Sequence, residues 1–426
     1  MKTVAVISHI WLGHIPAYHR MFVERLTSIG CRVISLAPCD RAELAIGSSN
    51  PVWSHAAFGQ TPSALLQSAR KSEHTTLIRA VLDRTGITLL LRLSGWPAIW
   101  RCIKLWRCTA RALAVEELAV GGQSDLVIIV YPASGYLENR MPASLIPGLF
   151  ARQWIGIWNG PEPLLVGSIR KRSGRAFLAR NCRAVLVPDP WMKERLRTYN
   201  PSLPLEVMPE IADLRSPVAS IHPQIEKLSN AAKGRRVVGL LGNITKRKGI
   251  LVFVEMARMA YTRNLPLYFV AAGDFSLNSC GPEYAEISDA CATAPDNFLL
   301  LPNQLADGSE FNAHVVACDV LFVAYINFPF QSNLLTKAAA FKKPVVVSTG
   351  YVMAQRTVDY GLGLAVPQGD AGSALTAVSE LLSVGTVEKL KPRWTEYLEE
   401  NSMNSLDRLF TELLGPAVVP RGGRSL

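Results

Sequence analysis

Short aliphatic runs alternate with longer stretches of helical spacing along most of this chain. Residues 3–7, 32–36, 125–130, 154–158 and 184–187 read as strands in the first half. Residues 236–241, 267–271, 298–301, 320–323 and 345–347 do so in the second. These runs are mostly apolar instead of alternating, as expected of strands buried on both faces of a parallel sheet. Between them the apolar positions change to a helical period. A helix entered near Pro16 turns Met21, Phe22, Leu26 and Ile29 inward and ends at Gly30. Another, after Gly249, carries Val252, Phe253, Met256, Ala257 and Ala260 on one face, and further helices are expected over 191–199 and about 372–382. The stretch 328–350, FPFQSNLLTKAAAFKKPVVVSTG, compresses the pattern into a loop, a helix start, a short helix and a buried strand. Ser332 or Asn333 can cap the helix, Lys342 and Lys343 fall in its last turn, and Pro344 stops it. Strands alternating with helices imply an α/β fold with parallel sheets.

The pattern breaks twice. Residues 77–113 mix Leu, Ile and three tryptophans, Trp96, Trp100 and Trp106, with seven cations and a single acid, Asp83. Two readings stay open for this basic, Trp-rich helical insertion: a helix lying in a membrane interface, or a buried helical pair whose cations reach outward. Residues 211–235 are largely polar, proline-containing and aperiodic, and read as an interdomain linker. The expected division is therefore 1–210, the linker, 236–385, and a C-terminal helical tail over 386–426. Two domains also follow from length, since 426 residues exceed one ordinary core.

Composition narrows the class. Charged residues make up 19% and hydrophobic ones 49%, which excludes wholesale disorder. Lys plus Arg number 45 against 34 Asp plus Glu, a net charge of +11, which favours anionic partners such as nucleotide phosphates or anionic lipid. No aromatic-rich nucleic-acid motif is present, so no nucleic acid is expected as partner. The eight cysteines are scattered without a CxxC pair, as free thiols of a reducing compartment would be. The start MKTVAVISHI reads directly as a strand, and no run of about twenty residues lacks charge, so neither a signal peptide nor a membrane span is expected. A cytoplasmic location, peripheral at the inner face of the membrane if the insertion lies on lipid, fits these features.

Candidate chemistry collects in loops at strand ends. The loop 242–249, Gly242-Asn243-Ile244-Thr245-Lys246-Arg247-Lys248-Gly249, sets three cations before a helix. It reads as a phosphate cradle or as a solvated basic turn. The helix start at Ser332, Asn333 and Leu334 is a second anion site, because unpaired N–H groups point outward there. Lys337, one turn on, either touches phosphate or reaches solvent. The strand 267–271 runs into Gly273 and Asp274, and Asp274 either serves a ligand or caps a helix. In the first half, His9 and His14 follow the first strand and Glu162 follows the strand at 154–158. Each is a candidate base, and histidine titrates in the useful range. No GxGxxG follows the first strand, so nicotinamide is not indicated. No His, Asp or Glu pair has ligand spacing, so no metal is expected.

The order of these pieces resembles a known family. The strand, Gly242, the basic loop closing on Lys248-Gly249, the strand ending in Ala272-Gly273, the Ser-Asn helix start, "KAAAFKKPVVVS" and "GLGLAVPQGD" are similar to the donor half of GT-B glycosyltransferases, the glycogen synthase-like group. The resemblance covers about residues 236–383. It implies an α/β GT-B architecture, two Rossmann-like domains facing a cleft, with a nucleoside diphosphate sugar against the second domain and the acceptor against the first. By the resemblance, Gly242 and Lys248 meet the diphosphate, Arg247 stands in for an arginine that the family places at Asn243, and Gly273, Asp274, Ser332, Asn333, Leu334 and Lys337 line the donor site. The family's paired glutamates fall at Pro329 and Lys337 here, and its histidine after the strand 154–158 is replaced by Trp158 and Asn159. The implied activity is hexosyl transfer from the nucleotide-sugar to a glycan or lipid-linked acceptor, in polysaccharide or cell-surface glycan assembly, with no cofactor besides the donor. The alternative is an inactive GT-B-like protein that binds a glycan or a partner at an anionic membrane surface.

Overall fold

The structure, a computed structural model, describes residues 1–8, 15–37, 54–57, 96–130, 142–158, 175–199, 201–217 and 223–415. The fold divides into two compact units, Met1–Met208 with Met403–Leu426, and Pro209–Ser402.

The first unit is built on a parallel sheet of seven strands: β1 (Thr3–Ser8), β2 (Arg32–Ala37), β3 (Ser54–Ala57), β4 (Leu126–Val130), β5 (Trp154–Ile157), β6 (Cys182–Val187) and β7 (Leu205–Val207), in the order β3-β2-β1-β4-β5-β6-β7. Every residue of β1, β4 and β5 is buried, which is why those segments are apolar without alternation. Helix α1 (Ile15–Ser28) buries Phe22, Val23 and Leu26, and Gly30, at φ +85°, ends it in the left-handed conformation. Helix α3 (Pro190–Tyr199) precedes β7, and helix α2 (Trp96–Ala119) precedes β4.

Helix α2 settles part of the open reading of the insertion. Cys102, Trp106, Thr109, Leu113 and Glu117 are buried, recurring every three or four residues down one face. The Trp106 ring lies 5.1 Å from that of Trp154 and 5.2 Å from that of Phe150, inside the core. Trp106 is therefore a core residue and not part of any outward aromatic stripe. Glu117 is almost wholly enclosed, and its carboxylate accepts hydrogen bonds from the Ser124 N–H and the Arg152 guanidinium. Burial pushes the Glu117 carboxyl up, and these partners outweigh it and hold it below the usual range.

The second unit is a six-stranded parallel sheet in the order β10-β9-β8-β11-β12-β13. Its strands are β8 (Arg236–Leu241), β9 (Leu267–Ala272), β10 (Phe298–Leu301), β11 (Val320–Val323), β12 (Val345–Ser348) and β13 (Gly363–Val366). The segment expected as a linker instead holds helix α4 (Pro223–Ala232), whose Leu228 and Ala232 are buried in this unit's core. It looked like a linker because one narrow apolar edge is all that such a short covering helix needs. Helices α5 (Ile250–Thr262), α6 (Tyr284–Ala292), α7 (Ser309–Ala317), α8 (Asn333–Ala340), α9 (Val352–Asp359), α10 (Ala371–Leu381) and α11 (Trp394–Glu400) complete the unit. Helix α8 ends at Ala340, so Lys342, at φ +51°, and Lys343 lie past its last turn.

The expected helical tail divides at Met403, and its earlier part, with α11, stays in the second unit. Its final described helix, α12 (Met403–Leu414), joins the first, where the Phe410 ring meets that of Phe22 at 5.2 Å. Arg25 pairs with Asp407, and Lys2 donates to the carbonyl oxygens of Leu414 and Gly415.

Candidate functional site

In the second sheet the chain reverses its winding between β8 and β11. A crevice forms outside the carboxyl ends of strands at such a switch point, and ligands bind there. The loops that line it are those from β8 to α5 and from β11 to α8.

The first loop is built by glycines and one short turn. Gly242 sits at φ +102°, and its N–H donates to Ala272 O at 3.0 Å. Gly273, at φ +145°, passes so close that a Cβ there would stand 1.8 Å from Gly242 O. Only glycine fits at 273, and the two strand ends are pressed backbone to backbone. The Ile244 N–H donates to Asp274 O at 2.8 Å, which holds the loop across the same junction. Thr245 Oγ1 then accepts from the Lys248 N–H at 3.3 Å and organises a single turn over Lys246–Lys248.

The three cations of that turn have different fates. Lys246 is paired with Glu286 at 3.0 Å. The Arg247 guanidinium is exposed and lies over the rings of Phe328 at 4.7 Å and Phe330 at 5.2 Å. Lys248 Nζ sits 3.8 Å from the Tyr325 ring centroid and 5.2 Å from that of Phe328. Among the described residues neither Arg247 nor Lys248 has a carboxylate partner. Ring faces orient a cation without neutralising it. Two like charges thus converge on one ring, Phe328, and their charge is left for an anion.

The second loop supplies the opposite wall. Tyr325, buried, carries its hydroxyl 3.5 Å from Ser332 Oγ. Ser332 occupies the cap position of α8 in extended conformation but makes no side-chain cap bond, contrary to the sequence expectation. The first-turn N–H groups beside Asn333 and Leu334 are thus not covered by a side-chain cap, and the helix dipole adds a partial positive charge. Asn243 is exposed at the rim and Asp274 is half-buried. Asp274 does not cap the next helix, a role taken by Ser276.

Lys337 must be removed from the ligand wall. Helix α8 is buried on every side from Leu334 to Ala339, and Lys337 is 0% exposed. Its ammonium donates to Asp213 O at 2.7 Å and to Asn312 Oδ1 at 2.8 Å, and pairs with Asp307 Oδ1 at 2.9 Å. Neither phosphate nor solvent is left for it. Asn312 in turn donates to the carbonyls of Asp213 and Arg215. Burial pushes the Asp213 carboxyl up, but the Arg215 guanidinium and N–H, with Lys337 adding, hold it below the ordinary range.

The candidate bases His9, His14 and Glu162 lie outside the described residues. In the first unit the structure shows a buried chain of polar groups across β1, α1 and β2: Ser8 Oγ is 2.7 Å from His19 Nδ1, and His19 Nε2 is 2.9 Å from Ser35 Oγ. The site also holds residues that the sequence did not flag. Tyr325, Phe328 and Phe330 form the aromatic support of the cations. Their signal was three rings within six positions directly after a strand.

No family model matches the sequence, and no curated protein matches it. Solved structures do match. The sucrose-phosphate synthase of Thermosynechococcus elongatus has a TM-score of 0.63 at 17% identity, covering 97% of this chain and 99% of its own. An E. coli trehalose-6-phosphate protein bound with UDP-2-fluoro glucose gives 0.66 at 12% identity, covering 98% and 100%. HepE of Anabaena, in complex with UDP and glucose, gives 0.62 at 12% identity, covering 97% and 99%. The chain has the GT-B fold.

Proposed function

We propose that this GT-B-fold chain is a glycosyltransferase of the hexosyltransferase type, which takes a nucleoside diphosphate sugar at the carboxyl edge of its six-stranded sheet. The observation that carries the reading is Lys248, an ammonium 3.8 Å from the Tyr325 ring with no anionic partner among the described residues, at the switch point of the sheet. Arg247, on Phe328 and Phe330, provides a second free cation, and the start of α8 a third donor group. Departure of the sugar concentrates negative charge on the diphosphate, and preorganised cations aimed at that charge lower the barrier. The neighbours that carry UDP or a UDP-sugar support the assignment of ligand class. The acceptor is a hydroxyl of a glycan or lipid-linked glycan, and His14, His9 and Glu162 are the candidate bases. Polysaccharide assembly at the cytoplasmic face of a membrane is the setting this reading favours.

One observation favours a second reading, a catalytically inactive GT-B-like protein that binds a glycan or a partner at the membrane surface. Position 337, where the resembling family places an acid, is a lysine consumed by internal contacts. A thermal-shift titration with UDP and GDP, followed by nucleotide-sugar hydrolysis, separates the outcomes. A ligand at a hundred times its Kd adds about 2.7 kcal/mol of stability, so a clear rise in Tm is expected for the wild type and none for Lys248→Ala. Binding without hydrolysis or transfer would remove the enzymatic reading. No shift with any nucleoside diphosphate would overturn the donor site and favour the second reading.

A further inference from the structure

The face of α2 that does not enter the core has its own composition. Trp100 is 60% exposed, Val115 64% and Leu118 84%, and Lys104, Arg107 and Arg111 are exposed between them. At about 100° per residue, Trp100, Lys104, Arg107, Arg111, Val115 and Leu118 all fall within a sector about 80° wide. Trp100 and Leu118 share one azimuth and stand about 27 Å apart along the axis. The buried row of Cys102, Trp106, Thr109, Leu113 and Glu117 occupies the opposite side. None of the three cations has an ion pair or hydrogen-bond partner among the described residues. The helix's buried acid, Glu117, is turned inward to Arg152.

We infer that this outer face of α2 is a docking surface for an anionic lipid bilayer, with the helix lying parallel to the membrane plane. The fit is of charge and shape together. A row of cations suits phosphate headgroups, and an aromatic at one end with aliphatics at the other suits the boundary between headgroups and acyl chains. No helix among the described residues is long and apolar enough to cross a membrane, so the contact is peripheral. The inference is independent of the nucleotide site, which lies in the other unit.

The test is co-sedimentation of the full chain with vesicles of phosphatidylcholine alone and of phosphatidylcholine mixed with phosphatidylglycerol. The wild type should partition onto the anionic vesicles and not the neutral ones. The triple variant Lys104→Glu/Arg107→Glu/Arg111→Glu should lose about a hundredfold in partition coefficient, at roughly fivefold per cation. The double variant Trp100→Gln/Leu118→Gln should weaken binding with the charge unchanged. A charge-matched control, Lys227→Glu/Arg263→Glu/Lys342→Glu, reverses exposed cations of the second unit and should bind as the wild type does. Melting curves and the UDP shift, both unchanged, show that the variants are folded. Equal loss in the control would reduce the effect to net charge and overturn the inference. So would absence of wild-type binding, which would leave the face to an acidic protein partner.

Discussion

Replacing Lys337 with glutamate puts the resembling family's residue back and should nonetheless damage the protein. The ammonium is fully buried and holds Asp213 O at 2.7 Å, Asn312 Oδ1 at 2.8 Å and Asp307 Oδ1 at 2.9 Å. A carboxylate there would face three acceptors and no donor. Losing two buried charge-assisted hydrogen bonds costs about 3–6 kcal/mol, and breaking a buried pair falls in the same range. Asp307 is half exposed and regains water, so the loss sits toward the middle, about 4–5 kcal/mol. Lys337→Met keeps the aliphatic stem. Asp213 O retains its bond from Asn312 at 3.0 Å, so the main orphan is Asn312 Oδ1, at a cost of about 1–3 kcal/mol. Urea unfolding followed by far-UV circular dichroism measures both, with a UDP titration beside it. A glutamate variant within about 1 kcal/mol of wild type would refute the reasoning. So would a methionine variant that keeps its stability but loses UDP, since that would place the ammonium on the ligand.

Other outcomes follow from the same geometry. Gly273→Ala should cost at least about 3 kcal/mol and abolish the UDP shift, because its Cβ would stand 1.8 Å from Gly242 O. Gly242→Ala, with open space around its Cβ, should cost only about 1 kcal/mol of backbone strain. Equal effects in urea melts would contradict this. Glu117 has its folded pKa held below the unfolded value of about 4.3, so the stability it contributes is present above that pH and lost as pH falls through the folded value. Below about pH 4 the wild-type Tm should therefore fall more steeply than that of Glu117→Gln.

Strands buried on both faces announce themselves, and β1, β4, β8, β11 and β12 were readable because their central positions are continuously apolar. Short edge strands such as β3 and β7 were not, since SHAA and LEV carry no such pattern. The glycine junction at 242 and 273 was marked by its residue type. Lys337 misled because a charge on a helix is ordinarily solvated. Leu334, Thr336, Ala338 and Ala339 leave an open arc of the helix around Lys337, and what closes it, Asp213, Asp307 and Asn312, comes from distant parts of the chain. The role of Phe328 and Phe330 depended on a contact across two loops, information that no local spacing contains. In α2 the buried period at 102, 106, 109, 113 and 117 is present in the sequence, but Trp100 and Trp106 fall on opposite sides of the helix, one outward and one in the core.

The return of α12 to the first unit has a consequence for the timing of synthesis. The ribosome finishes the strands of that unit by residue 207, yet the helix that covers Phe22 and pairs with Arg25 begins at 403. The unit made first is thus completed last, after the whole of Pro209–Ser402 has emerged. While translation runs, the part of α1 that α12 covers around Phe22 stands open, as a substrate for chaperones or a seed for misassembly. A slow codon or a nonsense mutation beyond residue 402 would therefore strike the amino-terminal unit and leave the carboxyl-terminal one to fold.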